Sequence, residues 1–415
     1  MRRTSARRGR SGVALALAGG GPLGAVYEIG ALNALAESVE GLDLNGMDQY
    51  VGVSAGAFIT AGLANGITPA QLCRMFIAGH SAKVPLDPER FLMPAYGELM
   101  RRSWQATVLA AQGTVAFVRG GGSRSWMESF QRMTRALPTG LFDNDTIAAY
   151  LRKVFEAHGG SDDFRRLRSR LFLVATNLDT GEAAAFGSDG LDHVPISQAI
   201  QASAALPGLF PPVEIDGQWF VDGALKKTLH ASVVLREGAD LVLCVNPLVP
   251  FNAARAMGLG RNDTRHLVDG GLPTVLGQTL RTMIHSRMEV GMARYELEYP
   301  NADIVLFEPD HGDSDMFFTN LFSYASRQRL CEHAYQQTRR ALLARREELE
   351  SKLARHGMRL RLSVLQDASR QLVPAMSTLQ RRRSGPLGRT ALELNDTLDR
   401  LQAQLSRHAA AEQGR

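Results

Sequence analysis

Cysteine is scarce in this chain. There are three in 415 residues, Cys73, Cys244 and Cys331, odd in number and without paired spacing. That excludes a disulfide scaffold and argues against a structural zinc site, since both need cysteines in close sets. No uninterrupted apolar run approaches the ~20 residues that a membrane-spanning helix requires. Acid is absent from residues 1–12, which carry five arginines, and the apolar VALALA that follows stops at three glycines. A secretion signal needs an apolar core of about 7–15 residues, so this run reads better as a buried strand, and a cytoplasmic protein is expected. No internal repeat is present.

The charge is uneven. The net +5 combines the arginines of the first twelve residues with a net +9 over 326–415, which leaves 13–325 acidic at −9. An acidic body with basic ends does not suit nucleic acid, and no nucleic-acid partner is expected; the ends suit an anionic lipid surface or plain solvent.

Residues 13–18 form an apolar run that enters Gly19-Gly20-Gly21-Pro22-Leu23-Gly24, and AVYEIGALNALAES follows with helical spacing of Val26, Ile29, Leu32 and Leu35. A second candidate strand, 48–53, runs into Ser54 and another apolar helix. Strand, glycine turn, helix, strand, sharp turn, helix marks a parallel α/β sheet. Further candidate strands are 171–177, 183–186, 218–221, 241–246 and 303–308, which together argue for one large domain over 13–325. Strand patterns stop between 78 and 155, a segment containing Trp104 and Trp126 that reads as a helical insertion or cap. Beyond 326 the composition turns helical and basic, as an extension with a break at RRRSGPLGR (381–389).

The glycine cluster fits G-x-G-x-x-G and leaves a dinucleotide-binding unit open, but the acid expected at the end of the second strand is missing. Glu40 and Asp43 lie in the loop before that strand. The same geometry serves as an oxyanion hole, because bare backbone amides at a helix start converge on one spot. Gly52-Val53-Ser54-Ala55-Gly56 is a G-x-S-x-G elbow and supplies a nucleophile. For its base, His230, His266 and His285 lie where the histidine of a triad would fall, none in a distinctive turn. Asp222 is better placed: QWFV delivers it at a strand end, and Gly223-Ala224 turns immediately after. Asp189-Gly190, Asp216-Gly217 and Asp269-Gly270 are similar pairs, so Asp222 does not stand out on local grounds alone.

Taken together, GGGPLG, GVSAGAF, ASAALPGLFPP (202–212) and VDGA (221–224) resemble the patatin-like phospholipase family over about 13–308. The resemblance implies a three-layer α/β/α fold and metal- and cofactor-free hydrolysis of lipid acyl esters by a Ser-Asp dyad. It implies Ser54 as nucleophile, Asp222 as base and Gly19, Gly20 and Gly21 as oxyanion loop, with Gly24, Gly52, Gly56, Gly223 and Ala224 completing the motifs. Asp269-Gly270-Gly271 also fits the family's Asp-Gly pattern but lacks an apolar strand before it. The family often carries arginine where Leu23 stands, which weakens the case for a phosphate headgroup. The leading expectation is a phospholipid or lysophospholipid acyl hydrolase. The alternatives are a neutral-lipid or generic carboxylesterase and a non-catalytic membrane-associated binder. The expected partner is lipid at a membrane surface, reached through the basic ends, with Arg381, Arg382 and Arg383 the best candidates.

Overall fold

A computed structural model describes residues 12–78, 140, 142, 145–258, 267–313, 316–317 and 324–372. Most of the expected 78–155 insertion, Trp104, Trp126, His266, residues 1–11 and Arg381–Arg383 lie outside the described residues.

The centre of the protein is a mixed sheet whose strands follow the apolar runs. They are β1 (Val13–Leu17), β3 (Gln49–Val53), β4 (Arg170–Asn177), β5 (Ala183–Phe186), β6 (Val213–Ile215), β7 (Gln218–Asp222), β8 (Leu241–Val245) and β9 (Asp303–Phe307). The order is β6-β7-β4-β3-β1-β8-β9, with β5 also on β4. The pairs β4–β3, β3–β1, β1–β8 and β8–β9 are parallel, whereas β5 and β7 run antiparallel to β4. Strands covered on both faces read as unbroken apolar runs, and VALAL and LVLCV sit at the middle of the sheet for that reason. Burying Leu15 and Leu17 there contributes roughly 1.5–3 kcal/mol each. A short strand β2 (Val39–Glu40) pairs separately with β10 (Arg359–Leu360).

Helices cover both faces, giving the three layers expected. Helices α1 (Gly21–Ser38) and α2 (Ala55–Ala64) follow β1 and β3, and α3 (Pro69–Cys73), α4 (Asp145–Ala157) and α5 (Ile196–Ser203) come before the β6–β7 hairpin. On the other face α6 (Ala231–Arg236) and the 28-residue α8 (Gly271–Glu298) pack on Ala14, Ala16, Val51, Val53 and Val242; α7 (Ala253–Gly258) precedes α8.

Helix α9 (Tyr324–Ala344) lies against α1, and α10 (Arg346–Ala354) and α11 (Leu362–Leu365) follow it. One compact unit therefore runs through Gln366, and the chain divides after that residue rather than near 326. The α1–α9 crossing is tight: a β-carbon at Gly30 would lie 2.4 Å from the carbonyl oxygen of Cys331 and 2.9 Å from the Ala334 side chain. Cys331 also meets the thiol of Cys73 on α3, so two of the three free, buried cysteines are neighbours in space despite their sequence separation.

Gly30→Ala is expected to force α1 off α9 and cost about 1–3 kcal/mol in thermal or denaturant unfolding. Gly291→Ala, in α8 where an added β-carbon meets nothing, is expected to raise stability by roughly 0.5–1 kcal/mol.

Candidate active site

Ser54 follows β3 directly and precedes α2, with φ 53° and ψ −118°. This is a strained region for a residue with a side chain, of the kind expected at a nucleophile elbow. Two contacts hold it. The Ser54 N–H donates to Ser203 Oγ at 2.9 Å, and that hydroxyl donates onward to the Val174 carbonyl at 2.6 Å. The start of α2 is pressed onto the end of β1, where Gly56 N–H donates to the Ala18 carbonyl at 3.2 Å. A β-carbon at Gly56 would stand 2.6 Å from the carbonyl oxygens of both Leu17 and Ala18, so only glycine fits.

Sheet register brings Asp222 to the same level. Val53 pairs with Val174, and the next residue of β4, Ala175, pairs with Asp222 at the end of β7. The Asp222 N–H donates to the Ala205 carbonyl at 3.0 Å. The ASAALPGLFPP segment thus pins both residues, Ser54 through Ser203 and Asp222 through Ala205. The anchoring role of Ser203 was missed in the sequence because nothing local separates it from any other helical serine.

The Ser54 side chain lies against the Asp222 carboxylate, and Ala224 N–H donates to Asp222 Oδ1 at 2.8 Å. Asp222 is 2% exposed. Burial pushes its pKa up to about 6, against the smaller opposing pull of the Ala224 amide and the Ser54 hydroxyl. His230 lies nearby, its Nε2 3.4 Å from the Gly223 carbonyl, but burial holds its pKa down at about 4 and keeps it neutral. His285 is buried on α8 beside Glu289 and Glu308. Among the described residues no histidine is hydrogen-bonded to Ser54 or Asp222. Asp269 lies on the exposed turn that leads into α8, outside the sheet. Glu40, the acid weighed for a dinucleotide site, is engaged with Arg359 across β2 and β10.

The glycine loop closes the third side. A β-carbon at Gly19 would come 3.3 Å from Ser54 Cβ and 3.0 Å from Ala224 Cβ, so the loop, the elbow and the Asp222 turn meet. The Gly19 N–H is engaged by the Thr228 carbonyl at 3.3 Å. The amides of Gly20 and Gly21, at the start of the 18-residue α1, have no acceptor among the described residues. The same holds for Ala55, first in α2, which the sequence reading passed over. Gly24 lies in the first turn of α1, Gly52 in β3, and Gly223 and Ala224 in the short turn after Asp222. Among the described residues no group of three His, Cys, Asp or Glu side chains is placed to hold a metal ion.

The profile of the family described as Patatin-like phospholipase matches residues 15–235, more than half of the chain and all of this site. The chain belongs to the patatin-like phospholipase family. An uncharacterized NTE family protein of Mycobacterium tuberculosis is 29% identical over 254 residues, covering 60% of this chain and 33% of that protein. An uncharacterized NTE family protein of Mycobacterium bovis is 30% identical over 100 residues, 24% of this chain and 16% of that one. The chain thus spans a third or less of these curated relatives. Among solved structures, VipD from Legionella pneumophila aligns with a TM-score of 0.36 and 15% identity over 81% of this chain and 67% of its own. The type III effector ExoU aligns with a TM-score of 0.36 and 17% identity over 97% and 65%.

The raised pKa of Asp222 has a signed consequence for stability. The folded protein holds this proton up to about pH 6, whereas an ordinary aspartate releases it near 3.8. The stabilisation is complete below about pH 4 and is lost as pH rises through 6. Asp222→Asn cannot ionise, so its stability relative to wild type is expected to climb by about 1–3 kcal/mol between pH 4 and 7 and then level off. Urea unfolding across that range measures it.

Proposed function

We propose that this protein hydrolyses fatty-acyl esters of phospholipids or lysophospholipids. The observation that carries the reading is the placing of the Ser54 side chain against a buried carboxylate, Asp222, beside the amides of Gly20 and Gly21, which have no acceptor among the described residues. Ser54 Oγ attacks the acyl carbonyl while its proton passes to Asp222, and the carbonyl oxygen becomes an oxyanion. The amides of Gly20 and Gly21, at the positive end of α1, stabilise that charge. Collapse expels the lysolipid alcohol, which takes the proton from Asp222 and leaves an acyl-serine. Asp222 then deprotonates a water that attacks the acyl-serine, and the fatty acid departs as the proton returns to Ser54.

A second reading rests on Leu23. It is half-buried in the first turn of α1, beside the glycine loop, where a basic residue would meet a headgroup phosphate. An apolar group there favours esters without phosphate, such as neutral lipids or simple carboxylic esters.

A lipid panel with matched acyl chains separates the two readings: phospholipid turnover above that of neutral glycerides supports the first, and the reverse supports the second. Ser54→Ala and Asp222→Asn are each expected to lower turnover by roughly a thousandfold or more, while Asp269→Asn leaves it near wild type. Wild type is expected to be labelled at Ser54 by a fluorophosphonate probe; an unlabelled Ser54 in folded protein would mean a binder without turnover. Because Asp222 acts as a base only when ionised, the rate should rise with pH through about 6. A soluble ester assayed across that range tests this limb.

A further inference from the structure

Helix α8 is apolar on two opposite sides. One side, with Ile284, His285, Met288 and Tyr295, is buried against the sheet. The other carries Leu276, Met283, Val290 and Leu297, each seven residues from the next, at 57, 52, 69 and 83% exposure. Thr279, Ser286 and Ala293 interleave with them and are also exposed. This is a heptad seam along about 30 Å of helix, facing away from its own domain. Leucine and methionine at such exposure, repeated in register, form a contiguous apolar stripe of the kind that marks an interaction surface.

The flanks of the seam specify its partner. Taking Leu276, Met283, Val290 and Leu297 as a positions and Thr279, Ser286 and Ala293 as d, the e positions include Arg287 and Arg294, and the g positions include Glu289 and Glu296. All four are exposed. In a parallel, in-register pair, each g residue faces the e residue of the following heptad on the other helix, so Glu289 meets Arg294 twice about the two-fold axis. In an antiparallel pair, g faces g and e faces e, which sets glutamate against glutamate and arginine against arginine. Arg294 already donates from Nε to Glu298 at 2.6 Å, and Arg287 donates to the Leu225 carbonyl at 3.3 Å. A guanidinium has five N–H donors, so both retain capacity for a second acceptor. Among the described residues Glu289 is paired with His285 alone, at 3.4 Å. The small residues at d let two backbones approach closely.

We propose that this face is a homodimer interface, in which α8 of one copy pairs parallel and in register with α8 of a second copy about a two-fold axis. Direction argues against a lipid surface as occupant. Helix α8 connects the carboxyl end of β8 to the amino end of β9, so it runs from the Ser54 edge of the sheet to the opposite edge. A membrane plane that faces the site's mouth would touch one end of the stripe and leave the rest in water. A second helix of equal length covers all of it.

Sedimentation velocity of the full chain over a micromolar concentration series tests this. Wild type is expected to dimerise, and Glu289→Arg and Arg294→Glu are each expected to weaken the dimer about tenfold or more with unchanged melting temperature. The Glu289→Arg/Arg294→Glu double variant should recover most of the loss, which a merely structural role would not produce. A wild type that stays monomeric at every concentration overturns the proposal, as does a double variant no tighter than either single. A dimer that tightens in the single variants means antiparallel pairing and overturns it too. If wild type is monomeric and Val290→Asp abolishes binding to anionic phosphatidylglycerol vesicles, the face belongs to lipid instead. If Val290→Asp lowers the melting temperature of a monomer, the chain's own segments cover it.

Discussion

A residue with a β-carbon does not stay at φ 53° and ψ −118° unless its surroundings hold it there, and such strain costs on the order of 1–3 kcal/mol. At Ser54 the holding is done from three directions. The Ser203 hydroxyl takes its amide, the close seating of Gly56 on β1 fixes the helix that follows, and the glycine loop closes over the side chain. Sheet and helices share the strain, so the hydroxyl stands clear of the turn and meets Asp222 across β4. Relaxing Ser54 to an ordinary backbone would swing the hydroxyl away and undo the packing of α2 on β1 together.

The electrostatics of the site depend on what is absent from around Asp222. No cation among the described residues is paired with it; the Ala224 amide donates to it, the Ser54 side chain lies against it, and the adjacent His230 is neutral. Desolvation therefore dominates and lifts the carboxyl from the ordinary aspartate range to about 6. An aspartate of ordinary pKa would be a feeble proton acceptor for a serine hydroxyl. One held near 6 is mostly ionised at neutral pH yet retains a proton long enough to pass it on. In the reaction we propose, burial thus tunes this carboxylate in place of a histidine.

Much of this was legible in the sequence because the central strands are largely apolar runs, of which β1 enters the glycine loop and β7 an Asp-Gly turn. β1, β3, β4, β5, β7, β8 and β9 all fall where apolar runs predicted them, and the G-x-S-x-G does join strand to helix. What escaped was long-range or lacked a periodic signal. β6 has three residues and β2 and β10 two each, too short for alternation to register. Helix α9 looked like the start of a basic extension because it carries four arginines, two of which, Arg327 and Arg339, are buried, and only the approach of Gly30 to Cys331 reveals that the helix covers α1. The engagement of the Gly19 amide, unlike those of Gly20 and Gly21, which have no acceptor among the described residues, depends on Thr228, a neighbour about two hundred residues away. Helix α8 hid its seam because apolar residues on opposite sides cancel any single amphipathic direction.

The order of the sheet carries a consequence for how the protein is made. β1 is the earliest of the described strands to be synthesised and lies at the centre, flanked by β3 on one edge and β8 on the other. The second neighbour is more than two hundred residues downstream. At translation rates of about 5–20 residues per second, β1 waits roughly ten seconds or more with an unpaired, wholly apolar edge. Helix α9, which covers α1, arrives later still. The nascent chain is therefore a problem of protected waiting, in which a chaperone or the slow compaction of the first βαβ unit must shield that edge. The matched segment 15–235 stops short of β8, so as an isolated fragment it would keep this edge open for good.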